Sequence, residues 1–300
     1  MNLCVIGTSK ITQQHLKVLK FFFKIICISS TRKNSKNLNK ISKKFGIKKK
    51  FNDWKKAVKY SSSFKDTAFF ITSRVKDNKK ILLSCCRTGK KIFIEKPVFE
   101  NPKEFKKFIK YKNQIFVGYN RIFYKNINYL KKNIINKKDL NILIKCPENT
   151  KKDIILNSCH IISVLLYIFK KILIIKTVRR QNYINSYLKI GKKFNTNLVF
   201  NIKNSDNFLI EIYDKKIRYV LSPIEDLKIY KNIIKKIDKK NNAKYIPVIS
   251  KKINEYSLDN YKPGFMNQAK KFYGFCKGAS IVNDIKFALK TVNICKKIIK

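Results

Sequence analysis

The sequence predicts an α/β protein in two parts. The first is a parallel sheet interleaved with helices; the second is an α+β domain on a large, mostly antiparallel open sheet. Three observations predict it. Up to about residue 120, short apolar runs alternate with segments of helical period, which implies βαβ units with right-handed crossovers. Beyond that point, long strand-like runs follow one another with turn residues between them. Finally, 300 residues suit two domains, read as 1–120 and 121–300, better than one.

The elements follow in order. NLCVI at 2–6 is an apolar run, punctuated by Gly7. In the next segment Ile11, His15, Leu16 and Leu19 recur on one helical face. FFFKIICISS from residue 21 is a second buried run, and Leu38, Ile41 and Phe45 mark a helix ended by Gly46. TAFFIT at 67–72 is a strand, and Ile81, Leu82 and Cys85 face inward on a helix that stops at Gly89. KIFIE is a strand, Phe105, Phe108 and Ile109 lie on a helix, and QIFVG at 114–118 is a strand. A helix near 158–170 opens the run of strands KILIIKTV, INSYLKIG, NLVFNIK, FLIEIYD and IRYVLS, with a hairpin-like break at Asn204-Ser205-Asp206-Asn207. Two helices, near 264–277 and 281–298, close the chain and can pack back on the N-terminal domain.

Composition narrows the function. At 44% hydrophobic and 13% aromatic the chain can fill real cores, which argues against disorder. A formal charge of +51 invites a nucleic-acid reading. Three features argue against it: only seven of the 69 basic residues are arginine, the lysines run along the whole chain, and Lys, Asn, Ile and Phe are enriched together, as A/T-rich codons dictate. The positive field suits anionic small substrates instead. Eight cysteines show no metal-ligand spacing, so no metal is expected, and they read as core residues in a reducing, cytoplasmic compartment. The chain opens on a strand rather than a signal peptide. Its apolar run from Ile161 to Phe169 is cut by Lys170 and Lys171, well short of the ~20 residues a membrane span needs.

VIGTSKITQQH occupies the first strand-to-helix turn, where a dinucleotide fold binds pyrophosphate on close-approaching backbone and a helix N-terminus. The glycine fingerprint would fall on Gly7, Ser9 and Thr12, and only the first is glycine. Ser9 is small, and its hydroxyl could meet a phosphate. The second strand ends in Ser29-Ser30-Thr31-Arg32-Lys33, without the acid that holds an NAD ribose. Hydroxyls followed by two cations favour NADP over NAD; the alternative is that Arg32 and Lys33 merely belong to the general excess.

With these parts in order, the chain resembles the glucose–fructose oxidoreductase/inositol dehydrogenase (Gfo/Idh/MocA) family. The matching stretches are VIGTSKITQQHL, GKKIFIEKPV from Gly89, VGYNRIFYKNI from Val117, NSCHIISVLLYIF from Asn157 and YKPGFMNQAKKF from Tyr261. The resemblance implies an N-terminal Rossmann domain and a C-terminal domain whose open sheet carries part of the substrate pocket and an oligomer interface. It places Lys96 of Glu-Lys-Pro at the reacting oxygen, beside the nicotinamide, and implies a cis Lys96-Pro97 peptide. Partial desolvation beside an oxidised nicotinamide should lower that lysine's pKa. His160 falls at the family's catalytic histidine, and a neutral imidazole is a suitable general base for alcohol oxidation. His15 reads as a packing residue. On this reading the cofactor set is Gly7, Ser9, Lys10, Ile11, Ser30, Thr31, Arg32, Thr72, Ser73, Glu95, Lys96 and Pro97. The substrate set is Lys96, Asn120, Arg121, Tyr124, Asn157, His160 and Lys262, with Arg121 and Tyr124 alternatively bracing a hinge.

There are departures. Many relatives carry an acid four residues before this histidine and another three after it; here those positions are Leu156 and Ser163. The function expected is NAD(P)-dependent hydride transfer at a hydroxyl carbon of a sugar or anionic nucleotide sugar, with surface-polysaccharide biosynthesis as its setting, in a homo-oligomer. The alternatives are a dinucleotide-fold protein that binds without turnover and a basic nucleic-acid binder.

Overall fold

The computed structural model describes residues 1–32, 35–191, 194–256 and 261–300, and the chain divides into two compact units. The first unit is Met1–Asn120 with Asn260–Asn293. Its strands are β1 (Asn2–Ile6), β2 (Lys24–Ser29), β3 (Lys50–Phe51), β4 (Thr67–Ile71), β5 (Ile92–Ile94) and β6 (Ile115–Val117). They form a parallel sheet of order β3-β2-β1-β4-β5-β6, so the direction of winding reverses between β1 and β4. That reversal is where an open α/β sheet leaves a crevice at its carboxyl edge. Helices α1 (Lys10–Leu19), α2 (Lys36–Lys44), α3 (Trp54–Ser62) and α4 (Val75–Cys86) make the connections.

The strands are buried on both faces, which is why they read as continuous apolar runs rather than alternating ones. Phe70, Phe93 and Phe116 lie in register on β4, β5 and β6, with ring centroids 4.5 and 5.4 Å apart. The helix expected around Phe105 is short: α5 (Pro102–Phe105) gives way to a 3₁₀ helix over Lys106–Tyr111. Phe105 and Phe108, three apart and fully buried, fit that three-residue turn. Near the end of the chain come α9 (Phe265–Cys276) and α10 (Ile285–Ile299). Phe272 of α9 packs edge-on against Phe93 and Phe116 at 5.4 and 5.5 Å.

The second unit is Arg121–Asp259 with Ile294–Lys300. It contains α6 (Lys125–Ile134), β7 (Asn141–Glu148), α7 (Asp153–Leu156), α8 (Cys159–Phe169), β8 (Ile172–Arg179), β9 (Tyr183–Ile190), β10 (Phe194–Ile202), β11 (Leu209–Asp214), β12 (Ile217–Leu221), β13 (Asp226–Ile237) and β14 (Ala243–Asn254). The sheet order is β14-β13-β12-β11-β7-β10-β9-β8, antiparallel except where β10 runs parallel to β7. The break at 204–207 is therefore not a hairpin. Strand β7, earlier in the chain, separates β10 from β11 and pairs with both. The outer parts of β13 and β14 form a ribbon in solvent, where Ile233 and Tyr245 are 65% and 67% exposed. Among the described residues, no helix is long and apolar enough to cross a membrane.

The phenylalanine ladder supports the strand ends of the first unit. Phe93→Ala should lower unfolding free energy by about 3–5 kcal/mol, measured by urea denaturation.

Candidate functional site

The first turn is shaped by how closely β4 approaches it. Gly7 ends β1 with φ +129°, and a Cβ there would fall 2.3 Å from Thr72 Oγ1 and 2.7 Å from the Thr72 carbonyl oxygen. Only glycine fits. The other two fingerprint positions build a capping box instead. The Ser9 hydroxyl accepts from the Thr12 amide at 3.4 Å, and the Ser9 amide donates to Thr12 Oγ1 at 3.0 Å. Thr12 is fully buried, and its hydroxyl meets Thr72 Oγ1 at 2.7 Å. Ser9 thus uses its hydroxyl to start α1. Lys10 and Ile11 open that helix, so their amides belong to a first turn whose N–H groups lack intrahelical acceptors.

A cleft of about 230 Å³ opens at this turn, lined by Gly7, Thr8, Ser9, Thr31, Arg32, Ser35, Asn37, Thr72, Ser73 and Arg74. Its lining holds hydroxyls, an amide and two guanidinium groups, and no carboxylate. This donor set, at a helix N-terminus, suits a phosphate-bearing ligand. Beside the cleft, the Ser30 hydroxyl donates to the Arg32 carbonyl and tightens the turn after β2, while Arg32 itself is exposed. Lys33 lies outside the described residues. The Ser73 hydroxyl donates to Asn78 Oδ1 at 2.5 Å, and Asn78 Nδ2 donates to the Val98 carbonyl at 2.8 Å. This chain of bonds ties the end of β4 to the segment after Pro97.

Beyond β5 the Lys96-Pro97 peptide is cis. Lys96 is half-buried, and its amide donates to Glu95 Oε2 at 3.1 Å. The other carboxylate oxygen of Glu95 lies 2.5 Å from Nε2 of His15. His15 is 2% exposed and stacks on Phe265 at 4.1 Å. Gly118 leaves the room, since a Cβ there would stand 3.0 Å from Glu95 Oε1. Glu95 is thus held inside the unit by His15 and the Lys96 amide. Asn120 Nδ2 donates to the Pro263 carbonyl at 3.1 Å, and the Lys262 ammonium lies 5.3 Å from the Phe265 ring centroid.

In the second unit, Arg121 and Tyr124 converge on a residue that sequence reasoning missed. The Tyr124 hydroxyl donates to Glu225 Oε1 at 3.2 Å, and Arg121 Nη2 stands 3.7 Å from the same oxygen. The Arg121 guanidinium also lies over Phe208 at 5.0 Å. Tyr124 is 2% exposed, and burial, then the Glu225 charge, push its phenol well above the ordinary range. All of these contacts lie within the second unit.

His160 sits in the first turn of α8, 7% exposed, with its amide donating to the Asn157 carbonyl at 3.0 Å. A second missed residue lies beneath that turn. Glu148 ends β7, and its carboxylate accepts from the Ser158 hydroxyl and, at 3.2 Å, from Asn157 Nδ2. Burial raises its pKa, while Ser158 and Asn157 act in the opposite direction. A signal was there to be read. Ile142, Ile144, Cys146 and Glu148 alternate, so an acid occupies the inward face of a strand. At the positions where relatives carry acids, Leu156 ends α7, and the Ser163 hydroxyl donates to the His160 carbonyl at 2.7 Å.

Comparison with known proteins follows the same division. Residues 1–119 match the family model described as an oxidoreductase family with an NAD-binding Rossmann fold. No curated protein matches the chain in sequence. Solved structures share the fold over nearly the whole chain. A dehydrogenase from Clostridium difficile is 16% identical with a TM-score of 0.75, covering 100% of this chain and 98% of its own. Levoglucosan dehydrogenase, solved with NADH and levoglucosan, is 13% identical with a TM-score of 0.73 over 99% and 96%. A UDP-N-acetylglucosamine 3-dehydrogenase from Acidithiobacillus ferrooxidans is 12% identical with a TM-score of 0.71 over 99% and 96%.

Removing His15 would leave the Glu95 carboxylate, largely shielded from water, without its ring partner. His15→Ala should cost about 1–3 kcal/mol of stability in chemical denaturation, the range for leaving a shielded acceptor without its donor.

Proposed function

We propose that a chain whose residues 1–119 belong to the Gfo/Idh/MocA oxidoreductase family is a nicotinamide-dependent dehydrogenase or reductase. It would act at a hydroxyl carbon of a sugar or nucleotide sugar. The observation that carries this reading is the carboxylate-free cleft at the first turn, where Gly7 and the start of α1 meet Thr31, Arg32 and Thr72. The Lys10 and Ile11 amides would hold the pyrophosphate, with Gly7 and Ser9 giving it close access to backbone. Ser30 shapes the turn that presents Thr31 and Arg32 to the ribose, and Arg32 favours a 2′-phosphate, hence NADP over NAD. Thr72 and Ser73 line the same cleft, and Glu95, Lys96 and Pro97 would meet the cofactor farther along.

Bound nicotinamide supplies or accepts the hydride at the reacting carbon. The residues of this chain manage the proton. Lys96 donates a hydrogen bond to the substrate oxygen, and neutral His160 Nε2 or Nδ1 takes the hydroxyl proton during oxidation and returns it during reduction. Asn157, Asn120, Arg121 and Lys262 are the candidate contacts for the sugar. A nucleotide sugar suits the +51 charge, which concentrates anions around the protein. Two of the similar solved structures are named for levoglucosan and UDP-N-acetylglucosamine dehydrogenases. A role in surface-polysaccharide biosynthesis, in the cytoplasm, is consistent with such a substrate and with eight free cysteines. Self-association would use the second sheet, where Leu173, Ile175, Tyr187 and Tyr213 stand in solvent.

Calorimetric titration with NADP, NADPH, NAD and NADH at moderate salt tests the reading. Binding of the phosphorylated pair is expected, and failure of all four overturns it. Arg32→Ala should weaken NADPH about tenfold or more, the ~1.5–3 kcal/mol of a charge-assisted contact, and leave NADH unchanged. In turnover over a panel of sugars and nucleotide sugars, Lys96→Ala and His160→Ala should each lower kcat by about 10²–10⁴. The double variant should lose far less than the product of the two, as groups serving one step do. Cofactor binding without any turnover would instead mark a binding protein.

A further inference from the structure

We propose that Glu148 is a positioning residue of this reaction, fixing the first turn of α8, and with it His160, through the side chains of Ser158 and Asn157. The proposal rests on the catalytic reading of His160. Both oxygens of the Glu148 carboxylate are engaged there, one by the Ser158 hydroxyl and the other by Asn157 Nδ2. The same two residues carry the start of the helix on their backbones. The Asn157 carbonyl accepts from the His160 amide at 3.0 Å, and the Ser158 carbonyl accepts from Ile161 and Ile162 at 2.9 and 3.1 Å. The carboxylate is therefore one residue's length from the bonds that place His160.

Its own anchorage is rigid. Glu148 terminates β7, which lies between β10 and β11 inside the sheet, and the residue is 6% exposed. Strand β7 pairs with β10 as far as Glu148 itself, opposite Ile202.

Charge matters here beyond filling space. The carboxylate accepts from both partners, so Asn157 presents its nitrogen to it and Ser158 its hydroxyl. An amide of the same shape would impose no such choice, and it would avoid the desolvation that burying a carboxylate entails. Glu148 thus holds the turn that carries His160 through Asn157 and Ser158. It reaches the helix start from a neighbouring strand rather than from the helix itself.

The test uses Glu148→Gln in the full chain. With only two histidines in the sequence, the His160 ring signals in NMR can be identified by comparison with His160→Ala. The variant should keep its NADPH affinity, lose roughly 10–100-fold in kcat with little change in KM, as a small misplacement of a reacting group does, and shift the His160 ring signals while leaving those of His15 in place. Should Glu148→Gln fail to fold, Ser158→Ala removes one of the two links and should move the same signals in the same way. A folded variant with unaltered His160 signals and wild-type kcat overturns the proposal. Shifted His160 signals in a protein that turns over no substrate would retain the positioning of His160 and discard the enzyme reading instead.

Discussion

Between His15 on one side and the Lys96 amide on the other, the Glu95 carboxylate occupies a space that exists only because residue 118 has no side chain. Three pieces of chain meet at this point: α1 through His15, the end of β5 through Glu95, and the end of β6 through Gly118. His15 lies against Phe70 and Phe93 at 4.8 and 5.3 Å, so the pair stands on the ring ladder of the sheet. Its other face meets Phe265, which brings α9 into the same cluster. A charged group this enclosed is stable only with its partners in place. The position of Lys96 on the backbone is consequently set by contacts with distant parts of the sequence, not by the Glu-Lys-Pro step alone.

The first turn shows a different solution to a related problem. With serine and threonine at the second and third fingerprint positions, the helix start gains side-chain hydrogen bonds within the protein. Thr12, through Thr72, joins α1 to the end of β4, where a glycine would have allowed only close packing. Gly7 remains, because β4 leaves no room for a Cβ there. The turn keeps the backbone amides that an anion needs and commits its hydroxyls to its own architecture.

Most of the first unit was legible in the sequence because buried parallel strands and amphipathic helices leave contrasting periods. The second unit was harder to read. Strand β7 escaped notice although its inward positions alternate, since lysine and proline interrupt the outward ones. Strands β13 and β14 gave no apolar pattern because much of their length faces water on both sides. The break at 204–207 looked like a hairpin because its residues are turn formers, and sequence adjacency conceals a central strand supplied from elsewhere. Among the candidate site residues, Gly7 was singled out by its place in the first turn, and Lys96 and His160 by the family resemblance. The carboxylates that meet Asn157 and Ser158, and Arg121 and Tyr124, could not be, because Glu148 and Glu225 gain their meaning only from residues brought near by folding. His15 was read as packing; its rings support that, and its bond to Glu95 adds a polar duty that helical period cannot reveal.

Strand β14 lies at the margin of its sheet and carries Pro247, Lys244, Lys251 and Lys252, while its neighbour β13 is irregular in register between Ile229 and Asn232. An open margin of this kind offers unpaired backbone to any extended chain that drifts past. A missing amide, a local twist and a row of repelling ammonium groups each spoil the template. The abundance of lysine, whatever its genomic origin, therefore leaves the protein a long, largely solvent-facing ribbon that is poorly suited to recruiting fibrils.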